Sequence, residues 1–374
     1  MAYGRKNHVK VDPTSYSFML LGEPKCGKTT VMKEALEIMD CNYMFAELGR
    51  ERGADAIEGI NCINCPSWSQ DYNEDDNSIG WSELVDDICE NPEDYNLKVL
   101  IIDTYDQYIT IAEDEALRLW NRENPDKRAK TLNASWGGFG AGSKKAIELM
   151  FEQIDRLNEV GVKVWWIGHV RNKSVTDIAT GDTYEVLSSD QQQNYFNALK
   201  KNLHFLGLAF IDREIVKEKS GKRNIVTKKE EEKAVVKEET RKIKFRDDSY
   251  VIDCGSRFKN IIDTIDLDAS QLVNAMTEAI RSEIEGSGAS VETRKKAEEA
   301  AEVKRTKEIA KNVAKKKEEA NLEDMITKIT DYVKANKGNM DAVKPLLAKA
   351  KELGYSNPTQ VDTIEAAKEI LALI

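Results

Sequence analysis

No apolar run in the 374-residue sequence reaches the length of a membrane-spanning helix, which excludes such a span and predicts no membrane partner. No apolar segment follows Arg5, Lys6 and Lys10, so a secretory leader is not expected either. Cysteine is sparse. The six residues are scattered, which suits a reducing cytoplasm and no disulfide framework. Cys62-x-x-Cys65 has no second Cys-x-x-Cys or Cys-x-x-His pair, leaving a zinc site without half its ligands. Lysine and arginine are missing between Asp71 and Asp94, where ten acidic residues stand. A solvated acidic insertion at about residues 66–96 is expected there. The rest of the chain is nearly balanced. The net charge of −11 therefore argues against a protein that coats nucleic acid with its whole surface, and leaves room for a local basic groove.

What is present is a globular composition, 41% hydrophobic and 32% charged, in a chain long enough for a sizeable core and a further unit. Near its start, Gly22-Glu23-Pro24-Lys25-Cys26-Gly27-Lys28-Thr29-Thr30 fits the P-loop pattern G-x-x-x-x-G-K-[ST]. An apolar run at residues 16–21 precedes it, and residues 31–39 follow with helical spacing of apolar positions. A strand, a glycine loop and a helix start aim backbone N–H groups and the positive end of a helix dipole at one place. The pattern predicts ATP along Gly22 to Thr30, with Lys28 at the β/γ-phosphates and the Thr29 hydroxyl on Mg²⁺.

Further apolar runs at residues 43–48, 60–65, 98–103 and 162–169 read as strands, with 98–103 the strongest. Helical spacing is read at residues 81–88, 107–121, 144–159, 194–202 and 269–284. Residues 206–217 and 242–253 alternate like two strands joined by a charged stretch. Strands alternating with helices predict an α/β fold with a mainly parallel sheet. Domain expectations follow composition. Residues 1–285 form the core, 286–320 a linker and a charged exposed helix, and 321–374 a small bundle of about three helices.

Hydrolysis needs a metal-linked acid and a group that orients water. Asp103 ends its strand and is placed to hold Mg²⁺ with Thr29; the structural alternative is a helix N-cap. Thr104 follows it rather than a glutamate, so the base must come from elsewhere. Glu47 is the first candidate, at the end of the strand after the P-loop helix, with Glu51 second and Asp106 third. His169 ends the last core strand, where it could sense the γ-phosphate; the alternative is a structural histidine.

Taken together, Gly22 to Thr29, Phe45-Ala46-Glu47, Ile101-Ile102-Asp103 and Ile167-Gly168-His169 resemble the RecA-type ATPase core. The similarity is to phage and prophage AAA-domain ATPases related to RecA-like single-strand annealing recombinases, and it spans about residues 15–265. Tyr195 to Lys200, Phe210 to Arg213, Arg241 to Phe245 and Ser256-Arg257-Phe258 extend it. The resemblance implies a RecA-like P-loop NTPase that hydrolyses ATP between subunits of a homo-oligomer, in the host cytoplasm if phage-encoded. It places Arg257 near a γ-phosphate, of the same chain or of a neighbouring subunit. It also implies single-stranded DNA in the loops at residues 121–143 and 171–193, with Arg128, Lys130, Trp136, Phe139, Arg171 and Lys173 as contacts. The expected function is a DNA-dependent ATPase in phage recombination or replication. The alternative is a nucleotide-dependent switch that docks a protein partner through residues 321–374, with little or no DNA binding.

Overall fold

The computed structural model describes residues 7–177, 180–223, 230–249 and 251–374. They divide into two compact units, residues 1–302 and 303–374. In chain order the first unit begins with β1 (Phe18–Gly22), α1 (Lys28–Ile38), β2 (Tyr43–Leu48), β3 (Cys62–Cys65), α2 (Trp81–Glu90) and α3 (Pro92–Tyr95). It continues with β4 (Val99–Asp103), α4 (Tyr105–Glu123), α5 (Ala141–Glu159), β5 (Lys163–Thr176), β6 (Thr183–Ser189) and α6 (Gln193–Lys200). Then come β7 (Phe205–Arg223), β8 (Glu230–Lys244), β9 (Gly255–Ser256), β10 (Thr264–Asp266) and α7 (Ala269–Gly286).

One sheet runs β10-β8-β7-β1-β5-β4-β2-β3. From β7 to β3 every pair is parallel, while β8 and β10 join antiparallel. This is the expected α/β fold with a mainly parallel sheet. Every residue of β1, β2 and β4 is buried, as parallel strands covered on both faces require. Alternation then sorts the side chains. Phe18, Leu20, Phe45, Ile101 and Trp165 face α1 and α7. Met19, Leu21, Ala46, Ile102 and Trp166 face α2, α4, α5 and α6.

Three expectations are corrected. Residues 66–96 are not solvated throughout, because α2 buries Trp81, Leu84, Val85 and Ile88 on one helical face and turns its acids outward. Residues 171–193 are not an open loop. β5 continues past His169 and pairs with β6, Arg171 opposite Ser188. The strand placed at residues 242–253 starts at Glu230 instead, and β7 and β8 form a long antiparallel ribbon through the charged stretch. Residues 224–229 of that stretch lie outside the described residues.

The division between units falls within α8 (Val291–Ala335). At its start, Glu298 accepts from the Val11 amide at 2.7 Å. The helix passes residue 320 without a break, since neither glycine nor proline occurs from 303 to 335. In the second unit, Ile329 packs with Leu346 and Ala350 of α9 (Met340–Glu352) and Ala367 and Ile370 of α10 (Ile364–Leu371). Among the described residues no helix is long and apolar enough to cross a membrane.

Candidate nucleotide site

The loop from β1 to α1 is shaped by two glycines. A Cβ on Gly22 would stand 2.9 Å from the Ala209 carbonyl oxygen, so no side chain fits between the loop and β7. Gly27 takes φ +106°, the left-handed region, and turns the chain into α1. The amides of Gly27, Thr29 and Thr30 then carry no hydrogen bond among the described residues, the Lys28 amide meets only the Cys26 thiol, and no side chain caps the helix. Such free donors at a helix start form a cradle for an anion. The Lys28 ammonium is folded into this loop, donating to the Gly22 and Glu23 carbonyls at 3.1 and 2.8 Å. Burial pulls its pKa down, against the charges of Cys26, Asp103, Asp106 and Glu51.

The acids arrive by the same alternation that builds the core. The apolar rows facing α1, Tyr43-Phe45, Val99-Ile101 and Trp165-Ile167, end at the carboxyl edge in Glu47, Asp103 and His169. Asp103 accepts the Thr29 hydroxyl at 2.9 Å, and burial raises its pKa to about 6. Glu47 stands beside it in register on β2, 1% exposed. Its Oε1 accepts the Ala54 amide at 2.6 Å, while Oε2 is buried with no hydrogen bond. Burial pushes its pKa up. The charge of Glu51 bears on both Lys28 and Asp103. Asp106, in the first turn of α4, accepts from the His169 amide and meets its Nδ1, both at 2.9 Å. Its other oxygen accepts Gln191 Nε2 at 3.1 Å. Facing a carboxylate, Nδ1 carries the proton, which leaves Nε2 as the free nitrogen when the ring is neutral.

The structure does not bring every expected residue to the site. Arg257 does not reach the P-loop of its own chain. It follows β9, which pairs with the start of β7, so it lies at the amino edge of the sheet, opposite the P-loop. There its guanidinium donates to the carbonyls of Leu203, at 2.9 Å, and Lys201. Trp136 is also not a free ring, since its indole N–H donates to Ala116 O at 3.0 Å and it packs on Trp120 with Lys145 above. Phe139, three residues on, is 107% exposed. Arg128 and Lys130 are exposed and make no ion pair among the described residues. Arg171 pairs with Asp190 at 3.3 Å, and Lys173 donates to Gln191 O at 2.7 Å, so both cations brace the base of the β5–β6 hairpin.

Residues 124–140 lie on the P-loop side of the sheet. Tyr108 Oη donates to Met150 O and Trp136 Nε1 to Ala116 O, so α4 and α5 run antiparallel. Because α5 ends where β5 begins, its start and the preceding segment project beyond the carboxyl edge. One cation at the P-loop was missed by sequence reasoning: Arg241 of β8, whose Nη1 donates to Cys26 O at 3.3 Å. Its signal was the row rule, since Ile243 and Phe245 follow it on the α1 face as β8 enters the sheet from the carboxyl edge.

The donor set fits a nucleotide and its metal. The amide cradle and Lys28 suit phosphate oxygens, and the Thr29 hydroxyl beside the Asp103 carboxylate suits a hard divalent cation such as Mg²⁺. No curated protein matches the chain. A family model described as an AAA domain matches residues 14–237, more than half of the sequence and all of the P-loop, Glu47, Asp103 and His169. The chain belongs to the AAA domain family of P-loop ATPases.

Proposed function

We propose that this protein is a DNA-dependent ATPase that acts on single-stranded DNA as a homo-oligomer in phage recombination or replication. One observation carries the nucleotide half: the unpaired amides of Gly27, Thr29 and Thr30 converge with the Lys28 ammonium, the Thr29 hydroxyl and Asp103. Mg²⁺ held by Thr29 and Asp103 would neutralise charge on the phosphates. Glu47 is the base in this reading. Its unpaired Oε2, made more basic by burial, takes the proton of the water that attacks the terminal phosphorus while the bond to the ADP oxygen breaks. His169 reads the terminal phosphate, and its Asp106–Gln191 contacts pass that state to the β5–β6 hairpin.

The DNA half rests on Phe139, an exposed ring on the same segment as the exposed cations Arg128 and Lys130, beyond the carboxyl edge. Such rings stack bases while cations pair with phosphates. The test is steady-state ATP hydrolysis with and without single-stranded DNA, using Lys28→Ala and Glu47→Gln as controls. DNA stimulation abolished in both variants is the expected result. Tight nucleotide binding without stimulation, unchanged by Glu47→Gln, would instead favour a switch that docks a protein through residues 321–374.

A further inference from the structure

We propose that Arg241 is a nucleotide-binding residue supplied from within the same chain. Its guanidinium pairs with a phosphate oxygen on the flank of the P-loop away from Asp103, and makes this contact to nucleoside diphosphate and triphosphate alike. The inference rests on the nucleotide reading above.

Position comes first. The strand order sets β5, β4 and β2 on one side of β1, carrying His169, Asp103 and Glu47, and β7 and β8 on the other. On β8 the row Phe245, Ile243, Arg241 faces α1, and Arg241 is its polar end at the carboxyl edge. Arg241 is thus the mirror counterpart of Asp103, with opposite charge.

The contact comes second. Arg241 Nη1 is 3.3 Å from Cys26 O, and a Cβ built on Gly27 would stand 3.8 Å from the same nitrogen. The guanidinium therefore stands against the loop at the residue where the free amides begin. The backbone holds it there, since the Leu267 amide donates to Arg241 O at 2.8 Å and Leu267 Cδ2 would meet the same Gly27 Cβ at 3.2 Å. Among the described residues no carboxylate pairs with Arg241. A guanidinium has five donors, and this one spends a single donor on a neutral carbonyl at the long end of hydrogen-bonding distance. An oxyanion offers a stronger, charge-assisted and bidentate partner.

Chemistry fixes which phosphate. Asp103, Glu47 and Glu51 gather at the far flank, where the metal and the attacked terminal phosphate belong. The near flank then meets the inner phosphates, which di- and triphosphate share.

The test is calorimetric titration of the full chain with MgADP and with a non-hydrolysable ATP analogue, for the wild type, Arg241→Ala, Arg241→Lys and Lys28→Ala. Arg241→Ala should weaken both nucleotides by about ten- to a hundredfold, the worth of one charged hydrogen-bond pair. Arg241→Lys should recover part of the loss, because it keeps the charge and not the fork. The melting temperature without nucleotide should match the wild type in both Arg241 variants, while the rise on adding ADP shrinks. Unchanged ADP affinity in Arg241→Ala overturns the proposal, as does a loss confined to the triphosphate analogue. A drop in nucleotide-free melting temperature with affinity retained also overturns it, by showing a purely structural brace. If the wild type binds neither nucleotide, the nucleotide reading itself has failed, which a bound wild type with an indifferent Arg241→Ala would not imply.

Discussion

The two edges of one sheet are built from the same strands and treat their polar groups in opposite ways. At the amino edge they are paired within the chain. The Ser17 hydroxyl bonds Asn202 O and His204 Nδ1, both at 2.9 Å, Trp165 Nε1 donates to Tyr16 O at 2.9 Å, and Arg257 closes on two carbonyls. At the carboxyl edge, Glu47 Oε2 and Thr104 Oγ1 are buried without partners, and the amides of Gly27, Thr29 and Thr30 have no partner among the described residues. Leaving the buried Glu47 Oε2 and Thr104 Oγ1 unpaired costs stability, typically ~1–3 kcal/mol each. The difference teaches where the molecule gives up stability for binding. It also explains why Arg257, although it is a cation near the end of the core, belongs to the edge that only holds the fold together.

The largest effects should come from breaking the carboxyl edge. Glu47→Gln keeps the shape of the side chain and removes the proton acceptor. ATP turnover should fall by about 10²- to 10⁴-fold with nucleotide affinity intact, read by single-turnover hydrolysis. Equal loss in Glu51→Gln and none in Glu47→Gln would move the base to Glu51. Lys28→Ala should abolish measurable nucleotide binding in equilibrium titration, since it removes the mobile charge of the cradle.

Asp103 makes the same edge sensitive to pH. Its pKa is raised from an ordinary 3.8 to about 6, chiefly by burial. The folded state therefore binds the proton more tightly than the unfolded chain. The stability this group contributes is present below about pH 4 and is lost as pH rises towards 6. Above that the charged group holds the nucleotide-free fold down by at most ~3 kcal/mol, a difference of about two pH units at ~1.4 kcal/mol each. Asp103→Asn should raise the melting temperature without nucleotide at neutral pH and flatten its dependence between pH 4 and 6. A variant less stable at pH 7 would contradict the burial argument.

The segment 124–140 offers a comparison within a few residues. Phe139→Ala should lower affinity for single-stranded DNA by about tenfold or more, the worth of one stacked base, and leave melting unchanged. Trp136→Ala should instead cost roughly 2 kcal/mol of stability, because the half-buried ring rests on Trp120 and its N–H satisfies Ala116 O. If the two variants exchange phenotypes, the assignment of the stacking ring is wrong.

How far these features could be read from sequence depends on what determines them. The strands at 43–48 and 98–103 were legible because burial on both faces leaves continuous apolar runs, and their terminal acids, Glu47 and Asp103, stood out against those runs. The outer part of the β7–β8 ribbon, beyond residue 217 and before 242, was not, because antiparallel pairing of a charged stretch leaves no apolar alternation to detect. Nor was the difference between Trp136 and Phe139. Both rings sit among glycines, and only the tertiary contact with Trp120 decides which is held and which is free. In the acidic stretch the helical spacing at 81–88 was legible, but its charge hid that Trp81, Leu84, Val85 and Ile88 dock in the core. Arg241 was hidden among the charged residues of β8 until pairing showed which face it shares with Ile243.

The smallest effect expected is also the one that completes the comparison. Arg257→Ala removes donors to Leu203 O and Lys201 O on an exposed part of the amino edge, where water can take their place. The loss should be about 1 kcal/mol in chemical denaturation, the usual net worth of such bonds. Nucleotide affinity and turnover should not change within one chain, because the residue stands a full strand length from the cradle. A fall in ATP turnover of the assembled protein, with no fall in single-chain nucleotide affinity, would mean that the amino edge of one copy reaches the carboxyl edge of another. The two edges would then be halves of one site, and the contrast between them would belong to the monomer alone.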